Sequence, residues 1–199
     1  FSHRLERKQR DELGYLIHWF NKLSAKLEEN YLELEKLSIT DKLTQLNNRN
    51  RTDVYFPLAI QKALSNTHPL AIVLLDIDHF KSINDKYGHL TGDDVLITLA
   101  SILKQQVGEQ GYLARWGGEE FIIILSNYSR EAAFKHIDAL RKYISASHFE
   151  VISHLTVSFG LSMLRKGDDE AALMKRTDNY LYQAKEQGRN CVKMNDMGE

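Results

Sequence analysis

Cysteine and proline are nearly missing from this chain of 199 residues, which contains one cysteine, Cys191, and two prolines. One cysteine cannot build a disulfide framework, so we expect the protein in a reducing compartment. Charge of one sign is also missing, because the formal net charge is -1 and the pI is about 6.8. Without a general basic field, binding to nucleic acid or to a membrane surface is not expected.

Long hydrophobic runs are missing as well, since no apolar stretch approaches the ~20 residues that cross a bilayer. We expect no signal peptide in this stretch either, because no pattern of that kind is present. The chain begins at Phe1 rather than at methionine. We therefore expect it to be part of a longer protein, whose upstream portion could carry a membrane anchor.

Residues 1–38 carry apolar side chains with alternating steps of three and four, which is the pattern of a heptad seam. The seam consists of Leu13, Leu16, Phe20, Leu23, Leu27, Asn30, Leu34 and Leu37. It predicts a parallel two-stranded coiled coil, in which the polar Asn30 could fix the register. The alternative is an amphipathic helix packed on its own domain. The string Asp11-Glu12-Leu13-Gly14, followed by Phe20-Asn21, also resembles the second helix of a HAMP signalling linker.

Residues 39–199 form a second region, in which apolar runs alternate with amphipathic stretches. The patterns predict strands over 69–78, 112–116, 121–126 and 155–164, and helices over 50–65, 90–107, 129–145 and 169–187. The pair Gly117-Gly118 predicts a tight hairpin between two of the strands. Strands separated by helices, with one adjacent hairpin, indicate an α+β sandwich of the ferredoxin-like kind.

Acidic residues stand at the end of the first predicted strand, in Asp76-Ile77-Asp78. Strand alternation places Asp76 and Asp78 on one face and Ile77 on the other. Mg²⁺ prefers such hard oxygen ligands and usually shares them with substrate phosphates. Acids at strand ends are also commonly solvated, so this segment alone leaves both interpretations open.

A second pair of acids, Glu119 and Glu120, directly follows the Gly117-Gly118 turn and precedes the apolar run that begins at Phe121. Two adjacent carboxylates between apolar strands require a compensating cation, and a bound metal is the simplest one. An exposed surface turn is the alternative.

Several motifs in order along the chain resemble one known family. The signature Gly-Gly-Glu-Glu-Phe stands at 117–121, and the other matching segments are 41–49 (DKLTQLNNR), 76–85 (DIDHFKSIND), 87–89 (YGH), 92–93 (GD) and 185–190 (KEQGRN). From about residue 39 the chain resembles a GGDEF domain, the family of diguanylate cyclases. The resemblance implies a nucleotidyl-cyclase-palm-like sandwich, with a central, mainly antiparallel sheet flanked by helices.

The resemblance also implies an activity, the condensation of two GTP into cyclic di-GMP with release of two pyrophosphates. It implies a homodimer, held through the coiled coil, with one GTP per subunit. A catalytically inactive sensor that binds GTP or cyclic di-GMP is the alternative. The expected context is a cytoplasmic domain of an inner-membrane-anchored receptor with upstream sensor domains.

The catalytic and metal roles follow from the same resemblance. Asp76, the carbonyl of Ile77 and Glu119 are expected to bind Mg²⁺, with Mn²⁺ as a possible substitute. Glu120 is expected to hold a second metal or to assist deprotonation. Lys81 is expected to act with these acids at the phosphates. The eight histidines show no ligand spacing and are assigned no metal.

The resemblance assigns guanine recognition to Asn84 and Asp93. A carboxylate can accept hydrogen bonds from both the N1–H and the N2 amino group of guanine, whereas adenine lacks that donor pair. Asp93 therefore favours GTP over ATP. The alternative is a helix N-cap, because acids are favoured where an apolar helix begins.

Phosphate binding is assigned by the resemblance to Lys185 and Arg189, which are four positions apart. The alternative is that these cations complement the dipole at a helix C-terminus. Lys81 and the backbone near Phe80 are expected to complete the phosphate cradle. Gly117 and Gly118 are expected to form its floor.

The sequence departs from the family at the inhibitory product site. Many members carry Arg-x-x-Asp shortly before the signature, and the corresponding stretch here is Gly108-Glu109-Gln110-Gly111. Neither the arginine nor the aspartate is present, so we expect no product inhibition through that site. Close to the predicted coiled coil of residues 1–38, which we call the stalk, Asp41 and Arg49 are expected to act as a salt bridge or a hinge.

Overall fold

The structure is a computed structural model that describes residues 12–37, 39–108 and 111–194, with side chains in the first helix from 14 to 31. The chain divides into two units between Ile39 and Thr40. The elements in chain order are α1 (Glu12–Leu37), α2 (Arg49–Asn66), β1 (Leu70–Ile77), α3 (Phe80–Tyr87), α4 (His89–Val107), β2 (Gly111–Gly117), β3 (Glu120–Ser126), α5 (Arg130–Ala146), β4 (Val157–Met163), α6 (Glu170–Glu186) and β5 (Val192–Lys193).

The first unit contains α1, a helix of 26 residues. The described apolar seam residues are exposed to solvent in the single chain, at 66% for Leu16, 49% for Phe20, 61% for Leu23 and 46% for Leu27. The rest of the predicted stalk, residues 1–11 and 38, lies outside the described residues. Over the described ranges, neither α1 nor any other helix is long and apolar enough to cross a membrane.

The second unit is built on a five-stranded sheet with the order β2-β3-β1-β4-β5. Strand β1 pairs antiparallel with both β3 and β4, and β2 pairs antiparallel with β3. The edge strand β5 pairs parallel with β4. This mixed, mainly antiparallel sheet with flanking helices confirms the predicted α+β palm-like fold.

Strand β1 lies at the centre of the sheet, and each of its residues from Leu70 to Ile77 is buried. Side chains such as Val73 and Leu75 face the core that contains α4 and α5. Their neighbours Ile72 and Leu74 face a second core that contains α2 and α6. A strand covered on both faces is a continuous apolar run, which is why the sequence signal at 69–78 was strong.

Helix α6 lies unusually close to β4 at Gly160. A Cβ atom built at Gly160 would lie 2.2 Å from the carbonyl oxygen of Thr177 and 2.4 Å from the amide nitrogen of Leu181. Only glycine permits this approach, because any side chain would push against helix backbone. The approach fixes the distance between the middle of α6 and the sheet.

Two elements were not predicted from the sequence. Helix α3 has only 8 residues and is separated from α4 by Gly88, whose φ is 85°. Strand β5 has 2 residues and forms through its pairing with β4. Both are too short to show a hydrophobic period, so their existence depends on their tertiary neighbours.

Candidate active site

The signature segment forms the predicted hairpin between β2 and β3, with Gly118 and Glu119 in the turn. Gly118 has a φ of 39°, in the left-handed region that glycine adopts readily. The strand register shifts between Arg115 and Gly117, which marks a bulge next to the turn. Bulges commonly redirect side chains beside functional sites.

Arg115 ties this turn to the beginning of the second unit. Its Nε and Nη2 donate to the carbonyl oxygen of Gly118 at 3.0 and 2.8 Å. Its Nη1 lies 3.1 Å from Oδ1 of Asp41. Asp41 thus forms a salt bridge, as expected, with Arg115 as its partner. The guanidinium carbon of Arg49 lies over the ring of Trp116, 4.5 Å from its centroid.

The acids of the two predicted clusters meet across adjacent strands. Asp76 near the end of β1 pairs in register with Glu120 at the start of β3. Oδ2 of Asp76 forms a salt bridge with Nζ of Lys185 at 2.8 Å. Glu119 is half-buried in the turn beside them. Lys185, expected at the phosphates, therefore also belongs to the acidic cluster.

Electrostatics in the cluster favour protonation of Asp76 and Glu120. Burial raises the pKa of Asp76, Lys185 opposes this shift, and the charges of Glu119 and Asp78 add to it. Burial also raises the pKa of Glu120, and the charge of Asp76 raises it further. Raised pKa values mean that the negative charges are poorly compensated, so a cation would be bound favourably here.

The residues of this cluster offer Mg²⁺ an incomplete set of protein ligands. Within the described ranges, no group of three or more His, Cys, Asp or Glu side chains is arranged to hold a metal ion. Mg²⁺, however, is usually held by one or two carboxylates together with substrate phosphates. Asp76 and Glu119, with the carbonyl of Ile77, fit this incomplete donor set, in which the nucleotide supplies the remaining oxygens.

The residues expected to bind guanine lie at the junction of α3 and α4. Among described groups, the buried Oδ1 of Asn84 has no hydrogen-bond partner. A Cβ atom at Gly92 would lie 1.9 Å from this oxygen, so the glycine makes room for it. Asp93 lies inside α4, which begins at His89 with Gly88 as its N-cap, and the N-cap alternative for Asp93 is therefore wrong.

The residues expected at the phosphates come from two elements. Helix α6 ends at Glu186, so Lys185 lies in its last turn while Arg189 lies beyond it with a φ of 62°. Arg189 therefore lies outside the helix that carries Lys185. Lys81 is exposed in the first turn of α3, which begins at the buried Phe80. The amide groups of a first helical turn point away from the helix and can receive anions.

The stretch expected to lack product binding begins and ends with glycines. Gly108 has a φ of 63°, a conformation that disfavours arginine. A Cβ atom at Gly111 would lie 2.4 Å from Cγ1 of Val107, so an acidic side chain would require Val107 to move. Glu109 and Gln110 lie outside the described residues.

Sequence reasoning missed the roles of two residues in this region. Arg115 belongs to no assigned function, and its charge next to the signature was its only signal. Asp78 was grouped with Asp76 as a strand-end acid and a possible metal ligand. Its carboxylate accepts hydrogen bonds from Thr156, Ser158 and the backbone amide of Asn190.

A mixed sheet with an acidic hairpin beside its central strand defines a palm-type α+β domain. The family model for the diguanylate cyclase GGDEF domain matches residues 38–191, and the chain belongs to this family. A diguanylate cyclase of Vibrio cholerae serotype O1 is 40% identical over 160 residues, which cover 79% of this chain. The chain spans 50% of that relative's length.

Two solved structures are similar to this chain. The active GGEEF domain of a diguanylate cyclase from Vibrio cholerae is 37% identical with a TM-score of 0.70, and the match covers 76% of this chain and 100% of that one. The coiled coil and GGDEF domain of DgcB from Caulobacter crescentus, in complex with c-di-GMP, is 28% identical with a TM-score of 0.75. That match covers 92% of this chain and 98% of the solved DgcB chain, so it includes the coiled coil of that structure.

Proposed function

We propose that this chain is an active diguanylate cyclase that converts two GTP into cyclic di-GMP and two pyrophosphates. The observation that carries the proposal is the acidic cluster, in which Asp76 and Glu120 are paired across β1 and β3 and Lys185 lies 2.8 Å from Asp76. The intact Gly-Gly-Glu-Glu-Phe turn and the family's activity support it.

The reaction forms two phosphodiester bonds. The 3′-oxygen of one GTP attacks the α-phosphorus of the other, the bond from that phosphorus to the β-phosphate oxygen breaks, and pyrophosphate leaves with the displaced electron pair. The proton of the 3′-hydroxyl passes to a base, for which Glu120 is the candidate because its raised pKa makes it a better proton acceptor. The second bond forms in the same way with the roles exchanged.

GGDEF diguanylate cyclases generally depend on divalent metals, and here Asp76, the Ile77 carbonyl and Glu119 would hold Mg²⁺, or Mn²⁺ in its place. Bound there, the metal would neutralise the triphosphate and acidify the attacking hydroxyl. Lys81, Lys185 and Arg189 would balance the remaining phosphate charge. Because Lys185 is paired with Asp76, it would offset part of the negative charge of the cluster before substrate arrives.

Guanine selection is assigned to Asn84 and Asp93. The unpartnered Oδ1 of Asn84 is an acceptor that a base N–H can satisfy. The carboxylate of Asp93 would accept from N1–H and the N2 amino group together. ATP would leave these acceptors unsatisfied in a buried site, which disfavours it strongly.

One domain holds one GTP, so the product requires two domains facing each other. We propose a homodimer through α1, because its exposed leucine and phenylalanine seam is the surface that a parallel partner helix covers. A shared stalk raises the local concentration of the second domain. Upstream sensor domains, anchored in the inner membrane of a longer protein, would bias the geometry of this dimer.

The direct test incubates the full chain with GTP and Mg²⁺ and measures cyclic di-GMP and pyrophosphate. Wild type should give one cyclic di-GMP per two pyrophosphates, whereas Glu119→Gln and Glu120→Gln should lose the activity. Glu131→Gln, which changes an exposed carboxylate on α5, should retain it.

The alternative of an inactive sensor predicts a different outcome. A folded dimer that binds GTP or cyclic di-GMP but forms no product in Mg²⁺ or Mn²⁺ would support it. Failure to bind guanine nucleotides at all would exclude both functions.

A further inference from the structure

Asp78 directly follows β1 and is buried, with 5% of its surface exposed, yet the proposed mechanism gives it no task. Its Oδ1 accepts a hydrogen bond from the hydroxyl of Ser158 at 2.6 Å. Its Oδ2 accepts from the hydroxyl of Thr156 at 2.7 Å and from the backbone amide of Asn190 at 3.0 Å. One carboxylate therefore joins the end of β1 to β4 and to the segment that follows α6.

That segment has an unusual backbone. Gly188, Arg189 and Asn190 have consecutive positive φ angles of 102°, 62° and 45°. Non-glycine residues adopt this region at a cost, and they remain there only when surrounding contacts hold them. The backbone is thus held in a specific conformation around Arg189, the residue assigned to the terminal phosphates.

Contacts on both sides of Arg189 provide this restraint. Its own amide donates to the carbonyl of Ala184 at 3.0 Å. After it, the amide of Asn190 is bound by Asp78, and the side-chain oxygen of Asn190 accepts from Arg141 at 2.9 Å. Both contacts of Asn190 involve a charged side chain, the Asp78 carboxylate and the Arg141 guanidinium, and hydrogen bonds of this kind are stronger than neutral ones.

We propose that Asp78 is a positioning residue that holds Asn190, and through it the backbone of Arg189, so that the Arg189 guanidinium meets the terminal phosphates of the bound nucleotide. The inference rests on the proposed function, which places Arg189 at those phosphates. A restrained backbone helps because the arginine then loses less conformational freedom when it binds. Both oxygens of Asp78 are occupied by hydrogen bonds, which separates its task from that of Asp76.

The test measures how much the triphosphate tail contributes to binding. The probes are 3′-deoxy-GTP and 3′-deoxy-GMP with Mg²⁺, because neither can form the cyclic product. The measured quantity is the dissociation constant of 3′-deoxy-GMP divided by that of 3′-deoxy-GTP. This ratio is compared for the full-length wild type, Asp78→Asn, Arg189→Ala and the double variant. We expect each single change to reduce the ratio about tenfold, the effect of one charged hydrogen bond, with 3′-deoxy-GMP affinity unchanged.

The double variant decides whether the two residues act together. If Asp78 acts through Arg189, the double variant should lose no more than either single variant. A wild-type ratio in Asp78→Asn, or a double variant that loses the product of both effects, would overturn the inference.

A second variant covers the case in which Asp78→Asn fails to fold, and it avoids changing charge beside Asp76. Asn190→Ala removes the Arg141 contact and places alanine in a left-handed conformation that it tolerates poorly. We expect about a threefold lower ratio, a fraction of one hydrogen bond. The matched control is Asn127→Ala, another left-handed asparagine with a φ of 65°, which should leave the ratio unchanged. An unchanged ratio in Asn190→Ala would contradict the inference.

The outcome also separates this inference from the proposed function. If wild type binds 3′-deoxy-GTP no more tightly than 3′-deoxy-GMP, the assigned phosphate site is wrong and the proposed function fails with it. If wild type and Arg189→Ala behave as expected but Asp78→Asn and Asn190→Ala resemble wild type, the positioning role alone fails.

Discussion

Asp76 and Glu120 are adjacent across β1 and β3, and burial raises the pKa of both. The charge of Asp76 raises the pKa of Glu120 further, and the charges of Glu119 and Asp78 raise that of Asp76. The folded protein therefore holds these protons to a higher pH than the unfolded chain does. The free energy of unfolding consequently decreases as pH rises from the ordinary carboxyl pKa through the raised folded values. At neutral pH the ionised acids therefore lower the stability of the folded protein, although the proposed reaction requires them.

We predict that Glu120→Gln stabilises the metal-free protein while abolishing cyclase activity. Removing one charge relieves the repulsion, so the melting temperature at pH 7 should rise by about 1–3 °C, and the loss of stability between acid and neutral pH should be smaller. Thermal unfolding followed across pH checks this. Glu131→Gln is the control. Hydrogen bonds lower the pKa of Glu131, so removing this carboxylate should not raise the melting temperature. A lower melting temperature for Glu120→Gln at pH 7 would refute the argument.

Product inhibition is predicted to be absent at the stretch 108–111. Gly108 and Gly111 supply no guanidinium and no carboxylate, and Val107 occupies the space that a side chain at 111 would need. Added cyclic di-GMP at low micromolar concentration should leave the initial rate unchanged, measured with pyrophosphatase present to remove the other product. Inhibition that GTP does not relieve would show that another surface binds the product.

At the scale of elements, Arg115 connects the signature turn to the beginning of the second unit. Arg115→Lys keeps a charge for Asp41 but cannot donate two hydrogen bonds to Gly118 at the same time. We expect a loss of about 1–3 kcal/mol in stability, and a loss of activity on the order of tenfold or more because the turn that carries Glu119 shifts. Urea unfolding and the cyclase assay measure the two effects.

The matched control for Arg115 is Arg176→Lys. Arg176 likewise binds a carboxylate, Asp168, and a backbone carbonyl, that of Met163, but outside the acidic cluster. Arg176→Lys should lose about as much stability as Arg115→Lys and keep most of its activity. Equal activity losses in both variants would mean that Arg115 acts only through general stability.

Gly160 sets the distance between β4 and α6, and we predict that Gly160→Ala destabilises the protein by about 3 kcal/mol. The added methyl group meets the backbone of Thr177 and Leu181, which cannot move aside as a side chain would. Denaturant unfolding measures the change. Gly167→Ala is a useful comparison, since a Cβ there meets nothing within 4 Å and its cost comes from its φ of 90° alone. Wild-type stability in Gly160→Ala would contradict the close packing.

At the scale of the whole molecule, the reaction depends on bringing two domains together. We predict that Leu23→Glu, in the α1 seam, lowers specific activity at nanomolar enzyme by about tenfold or more, and that high enzyme concentration restores it. His18→Glu, on the opposite face of the same helix, should behave as wild type. Deletion of residues 1–38 should resemble Leu23→Glu. Unchanged activity of the deletion at nanomolar concentration would count against the stalk dimer.

The sequence by itself determined the longer helices and strands and the family. A continuous apolar run predicts a strand buried on both faces, as at β1, and paired glycines predict a turn, as at 117–118, because each depends on residues adjacent in the chain. The ordered motifs were enough to identify the GGDEF family. They also named the carboxylates of the candidate metal site, whose roles remain predictions.

Only the tertiary structure decided which charges meet. Arg115 binds Asp41 from 74 positions away, and Asn190 binds Asp78 from 112 positions away. Lys185 was assigned to phosphates by its motif, but folding places it against Asp76. Sequence periodicity reports burial and turn geometry, whereas the pairing of charges depends on which strand ends and loops the sheet order brings together.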